Sequence, residues 1–144
     1  MAAEEESREE VLARVDASAA RVLALLRRPD PVTEPAEPAR TPDRADLELD
    51  AVSVGWPGSA AVASGIALRV AEGERVLVTG PSGSGKSTLA ATLVRFLEPL
   101  DGEVRVGGVD ADALGGDGVR EAVTWCQQDP WFADTTLGDN RRIA

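Results

Sequence analysis

Val11, Val15, Val22 and Leu26 recur near one helical face, with Leu12, Leu23 and Leu25 beside them, and neither Gly nor Pro interrupts residues 4–28. That spacing predicts a helix. Five of the nine prolines then fall between Pro29 and Pro42, which predicts an extended, semi-stiff linker over 29–45. A second region opens near Asp46. Leu47, Leu49, Val52 and Val54 predict a strand ending in a turn at Gly55 to Ser59, and Ile66, Leu68 and Val70 alternate as a second strand that stops at Glu72-Gly73. The apolar run Val76-Leu77-Val78 reads as a third, buried strand. Leu89, Leu93, Phe96 and Leu97 return to helical spacing, and Gly102 opens a short strand over Glu103 to Val106. Gly107-Gly108 turns the chain, Asp110 to Arg120 reads as a weak helix or loop, and Val123 to Gln127 reads as the last clear strand. Asp134 is placed to cap a short helix beginning at Leu137.

Length and charge narrow the classes. At 144 residues and 43% hydrophobic content the chain can hold one modest core. The net charge of −10 includes Glu4, Glu5, Glu6, Glu9 and Glu10, which read as a solvated acidic helix end. No basic stripe is available to neutralise phosphodiesters, so nucleic acid is not the expected partner. The single cysteine, Cys126, excludes an internal disulfide and a cysteine metal cluster, and its apolar surroundings predict an inert core thiol. No apolar run approaches 18 residues and the N-terminus lacks a signal-peptide pattern. The chain alone is therefore expected to be soluble and cytoplasmic.

The candidate chemistry sits between the third strand and the following helix. Gly80, Pro81, Ser82, Gly83, Ser84, Gly85, Lys86, Ser87 and Thr88 form a complete Gly-x-x-x-x-Gly-Lys-Ser/Thr loop in the strand-then-helix setting such a loop requires. Its glycines let successive N–H groups converge on phosphate oxygens while the helix presents its positive end. Lys86 is expected to reach the β and γ phosphates, Ser87 to place its hydroxyl on Mg²⁺, and Thr88 to cap or pack the first turn.

Two further residues stand at informative distances. Trp56, in Val-Gly-Trp-Pro-Gly, lies on an exposed turn, where its ring can stack on a base or simply pack the turn. Gln128 follows the last strand and precedes Asp129-Pro130. A neutral amide there can help coordinate Mg²⁺ and orient water, although spacing alone equally describes an exposed loop glutamine.

In this order the residues from Leu47 to Ala144 resemble the nucleotide-binding domain of ATP-binding cassette (ABC) transporters. Leu47 through Gly58 is similar to the family's opening strand and adenine-stacking position (the A-loop), here Trp56 where Tyr is usual, and residues 80–88 are its Walker A loop. Glu72-Gly73-Glu74 and Asp101-Gly102-Glu103 resemble its turns, and Gln128-Asp129-Pro130-Trp131-Phe132 its Q-loop, where the glutamine contacts Mg²⁺ and water and the loop faces the membrane domain. The resemblance implies an α/β fold: an incomplete P-loop NTPase core with a mixed sheet, preceded by a helix (1–28) and a Pro-rich linker (29–45). It implies ATP and Mg²⁺ as cofactors, with Trp56, residues 80–88 and Gln128 holding nucleotide, and Ser87 and Gln128 holding the metal. A membrane domain and a second nucleotide-binding domain are the implied partners, at the cytoplasmic face of a bacterial plasma membrane. Residues 1–45 are similar to the cytosolic end of an exporter membrane domain. Thr135 to Asn140 with Trp56-Pro57-Gly58 look most like the CydC and CydD type, exporters of cysteine and glutathione.

The sequence also departs from that family. It contains no histidine, no apolar strand ending in Asp-Glu and no Leu-Ser-Gly-Gly-Gln segment. These would lie beyond Ala144, so the expectation is a chain cut before the family's signature and Walker B elements, with an apolar strand edge left open. Such a chain is expected to bind MgATP without hydrolysing it, because phosphoryl transfer needs the missing water-orienting groups. A different class of function, a non-catalytic protein that docks on a transporter and modulates it, is compatible with the Glu-rich helix and Pro-rich segment. A small phosphate-loop kinase is disfavoured by the absence of an Arg-rich lid.

Overall fold

The computed structural model describes residues 2–27, 30–128 and 131–143. The chain divides into two units, Met1–Asp30 and Pro31–Ala144. The first is one helix, α1 (Ala2–Leu26), as the periodicity predicts. Its apolar residues Val11, Leu12, Val15, Val22, Leu23, Leu25 and Leu26 are all exposed. The side chains of Glu4, Glu5, Glu6 and Glu9 lie outside the described residues, as do Pro29, Asp129, Pro130 and Ala144. Among the described residues no helix is long and apolar enough to cross a membrane.

The second unit is built on a four-stranded sheet in the order β2-β1-β3-β4. Its strands are β1 (Leu47–Val54), β2 (Ala63–Val70), β3 (Asp101–Val106) and β4 (Val109–Asp110). All three pairings are antiparallel, with Leu49 opposite Leu68 on one side and Val104 on the other. β1 is central and carries the densest burial: Leu49, Val52 and Val54 are buried while Asp50 and Ala51 face out. The three-residue step from Leu49 to Val52 is a bulge, with Ala51 in a left-handed conformation (φ 50°) and a break in register against both neighbours. The extra residue resets the alternation so that both ends of β1 face the core. Gly102 (φ 82°) crosses at this point, and a Cβ there would meet the Asp50 carbonyl oxygen at 2.5 Å.

Three helices complete the unit: α2 (Lys86–Leu93), α3 (Ala111–Ala122) and α4 (Leu137–Ile143). Leu89 of α2 and Ala111, Leu114 and Val119 of α3 share one core with β1, Val104 and Val106. Asp110 caps α3 through the Asp112 amide, and Gly115 (φ 71°) kinks it. α2 ends in a two-bond Schellman turn, with the Phe96 amide on the Ala91 carbonyl and the Arg95 amide on the Thr92 carbonyl. The left-handed residue of that turn is Arg95 (φ 56°), where glycine is usual, at a cost of about 1–2 kcal/mol.

Several sequence expectations need correction. Val76-Leu77-Val78 forms no strand, and Leu77 is 85% exposed. Val123 to Gln127 is likewise irregular and Cys126 is exposed rather than a core thiol. A strand exists only where its N–H and C=O groups find a ladder, and no described strand pairs with either run. The parallel part of the expected mixed sheet is thus unpaired among the described residues. The helix at Leu137 is capped by Thr136, not by Asp134: the Thr136 hydroxyl accepts from the Asp139 amide and donates to the Asp139 carboxylate. Residues 31–46 have no regular structure, but they are not the expected linker, because they are fastened to the domain. Thr33 N–H donates to Glu98 (2.6 Å), Ala39 N–H to the Ala113 carbonyl (2.8 Å), and the Thr41 hydroxyl to Glu121 (2.7 Å).

Candidate functional site

The phosphate-type loop leaves the irregular segment 71–80 and enters α2 through Gly85, whose left-handed backbone (φ 89°) occupies the N-cap position. Glycine is required there twice over. A side chain would be strained by φ, and its Cβ would lie 2.8 Å from the Val62 Cγ2 atom next to β2. The start of α2 also differs from the other helix starts of this unit. Asp110 caps α3 and Thr136 caps α4, whereas α2 has no side-chain cap and no acidic residue in its first turn. Its first N–H groups therefore keep their capacity for an anionic acceptor.

Lys86 opens α2 and folds back over the loop. Its Nζ donates to the carbonyls of Gly80 and Pro81, both at 2.8 Å, and to the Ser84 hydroxyl at 3.4 Å. The ammonium is thereby held at the centre of the loop, and no carboxylate among the described residues pairs with it. Gly83 (φ 81°) supplies a second left-handed turn, and Ser87 is exposed one residue beyond Lys86. Pro81, Ser82 and Gly83 are exposed, while Ser84, Gly85 and Thr88 are half-buried.

Gln128 arrives from the other side. After α3 the Val123 amide still bonds the Val119 carbonyl, and Trp125 then rests on Phe96 with ring centroids 6.1 Å apart and planes at 53°. Arg120 covers the other contact of this cluster, 5.5 Å from the Phe96 ring centre. This anchoring brings residues 125–128 across from Lys86, Ser87 and Ala90, enclosing an open groove of about 570 Å³. That volume falls within the range of small-molecule sites, about 300–1,000 Å³. The groove brings Lys86, Ser87 and Gln128 together. It also includes Trp125 and Cys126, which the sequence reading assigned to a strand interior.

Trp56 is 59% exposed on a turn closed by the Ser59 amide on the Trp56 carbonyl, so the ring does not pack the turn. Val62, which follows the turn and bonds the Val54 carbonyl, is the residue against Gly85, placing the β1–β2 connection beside the loop. Trp131 and Phe132 are exposed too. The loop carrying them is tied by Asn140, whose side chain bonds both the Ala133 amide (2.8 Å) and its carbonyl (3.1 Å). At the start of α4, hydrogen bonds from Thr136 and then Thr135 hold the Asp139 carboxyl below the usual carboxylate range. No group of three or more His, Cys, Asp or Glu side chains that could hold a metal ion occurs among the described residues.

Comparison with known proteins gives a consistent result. A family model described as ABC transporter matches residues 63–142. An ATM1-type heavy metal exporter of Novosphingobium aromaticivorans is 34% identical over 74% of the chain. A multidrug efflux ATP-binding/permease protein of Mycobacterium bovis is 36% identical over 86%, and the mycobactin import ATP-binding/permease protein IrtB of Mycolicibacterium smegmatis 32% over 83%. A bacterial Atm1-family ABC exporter solved with ATP bound superposes with a TM-score of 0.61 at 32% identity, covering 71% of this chain and 18% of that one. The chain spans only 17%, 10% and 21% of the three relatives' lengths.

Proposed function

Since the chain belongs to the ABC transporter family, as an ATP-binding module related to its exporter-type members, we propose that residues 46–144 hold MgATP for a transport cycle. The observation that carries this reading is the groove on which Lys86, Ser87 and Gln128 converge. The cradle suits a polyphosphate: α2 begins uncapped, Gly83 and Gly85 supply the left-handed turns, and Lys86 provides a cation at the loop's centre. Lys86 would exchange its contacts with the Gly80 and Pro81 carbonyls for phosphate oxygens. Ser87 and Gln128 would hold Mg²⁺, which supplies charge neutralisation for the phosphates when bound. Trp56, free of packing, would take the adenine ring.

The relatives named as ATP-binding/permease proteins support a membrane domain as partner, and a second nucleotide-binding domain is proposed beside it. Their names cover heavy metals, drugs and mycobactin, so the proposal stops at ATP-driven transport of the exporter type. The thiol-export likeness rested partly on Thr135 to Asn140, and Thr136, Asp139 and Asn140 are occupied in shaping the start of α4. Binding without hydrolysis is the expected activity of these 144 residues, which contain no histidine and no Asp-Glu strand end.

Titration calorimetry with MgATP tests the proposal. Lys86→Ala removes a charge-assisted contact of about 1.5–3 kcal/mol and should weaken binding by about 10- to 150-fold while leaving the fold intact. Equal affinity in both proteins would refute the assignment. A turnover near about 1 s⁻¹ abolished by Lys86→Ala would refute the claim of binding alone.

A further inference from the structure

We propose that Arg95 is a positioning residue for the phosphate loop: it latches residues 31–46 to the far end of α2, so that docking of this segment and nucleotide binding strengthen each other. The inference rests on the reading of residues 80–88 as a nucleotide site.

Two independent observations converge on Arg95. The first is its backbone. It fills the left-handed position of a Schellman turn, where glycine would be relaxed, so an arginine there sits against its own conformational preference. The second is its side chain, which is only 3% exposed. Its Nη1 bonds the Ala111 carbonyl at 3.1 Å and pairs with the Asp112 carboxylate, both at the start of α3. Its Nη2 bonds the Thr33 carbonyl at 2.5 Å, and its Nε is buried without a partner. One guanidinium thus joins the exit of α2, the entry of α3 and the segment 31–46.

The neighbouring contacts divide in an informative way. Thr33 N–H also bonds Glu98, just past the end of α2, so two of the segment's fastenings are to the α2 exit. Three more are to α3, where the Gly116 N–H donates to Glu34 at 2.8 Å, Ala39 N–H to Ala113 and Thr41 to Glu121, and the Gly107 N–H in the β3–β4 turn donates to the Asp46 carbonyl at 2.7 Å. α2 between them is eight residues, about 12 Å of helix. Lys86 and Ser87 stand at its other end. A two-turn helix moves as a unit, and site geometry is sensitive to displacements of about 1 Å. Binding at one end and docking at the other then share one free energy, and the effect must be reciprocal.

The test uses the full 144-residue chain, with hydrogen exchange at individual amides and MgATP calorimetry. Arg95→Gly keeps the turn, because glycine suits φ 56°, and removes the latch together with the guanidinium's bonds to Ala111 and Asp112. It should abolish protection at the Thr33 and Ala39 amides, leave the β1 and β3 amides protected, and raise the MgATP Kd about tenfold. Arg95→Lys should restore part of both, and MgATP should slow exchange at the same two amides in the native chain. Glu34→Ala loosens the segment from α3 without touching α2, and should raise Kd about fivefold even if Arg95→Gly proves unstable. Unchanged protection in Arg95→Gly, or lost protection with unchanged Kd in either variant, overturns the proposal. A native chain that binds no MgATP fails the nucleotide reading and the coupling together, whereas normal native binding with unaltered Kd in the variants fails the coupling alone.

Discussion

The sheet and the nucleotide groove obey opposite rules. In the sheet, Val52, Val54 and Val106 are completely buried and each strand is paired. Around the loop, residues 71–83 are all exposed and lack regular structure, and so do residues 126–128. Yet both regions are rich in apolar residues: Val76, Leu77 and Val78 are as hydrophobic as any stretch of β1. The difference is partnership. β1 has a strand on each side and α2 and α3 to cover it, whereas the run before the loop has neither. Hydrophobicity proposes a strand, and only a ladder and a cover make one.

The sharpest way to break this comparison is to cut one large side chain on each side of it. Leu114 is 1% exposed, and Leu114→Ala should cost about 2–5 kcal/mol by urea denaturation. Leu77→Ser, at an 85% exposed position, should fall within about 0.5 kcal/mol of zero. A large loss from Leu77→Ser would show that the run is covered in solution. A smaller effect is expected where the two regions touch. Gly85→Ala places a methyl group against Val62 in a left-handed conformation and should destabilise by about 1–3 kcal/mol, with nucleotide affinity falling as well. Unaltered stability would mean that the loop entrance is free to relocate.

The smallest effect lies at α4. Its Asp139 carboxyl titrates below the unfolded value because Thr136 and Thr135 hydroxyls bond the charged form. The stability it contributes is therefore complete above the unfolded carboxylate range and is lost as pH falls through the depressed folded value. Amide shifts of residues 136–140 followed by NMR should show this acid transition, and Asp139→Asn should remove it. A transition that persists in Asp139→Asn would assign the titration elsewhere.

Much of this could be read from the sequence, and the misses share a cause. β1, β2 and β3 declared themselves through alternation, and the step from Leu49 to Val52 already held the bulge. The loop motif was legible because it depends on local order, and the groove brings Lys86 and Ser87 together with Gln128. The strands at 76–78 and 123–127 were misread because pairing is a property of what lies alongside, which periodicity does not report. Arg95 was invisible for a related reason. Its importance comes from contacts to Thr33 and Asp112, 62 and 17 residues away, and no spacing rule links them. The prolines at 31–42 signalled irregular backbone correctly but could not signal that Thr33, Ala39 and Thr41 would be tied down.

The central place of β1 also has a consequence in time. The chain leaves the sheet after Val70 and returns to the same strand at Asp101, so the phosphate loop and α2 form one excursion of about 30 residues. The β1–β2 hairpin needs only a short closure and can form early, whereas β3 must first surrender the freedom of the whole excursion. The loop gains two fixed ends only when β3 docks. During folding, then, the cradle would be among the last parts of the sheet's circuit to exist, and its assembly would be timed by a strand that contributes no residue to the groove.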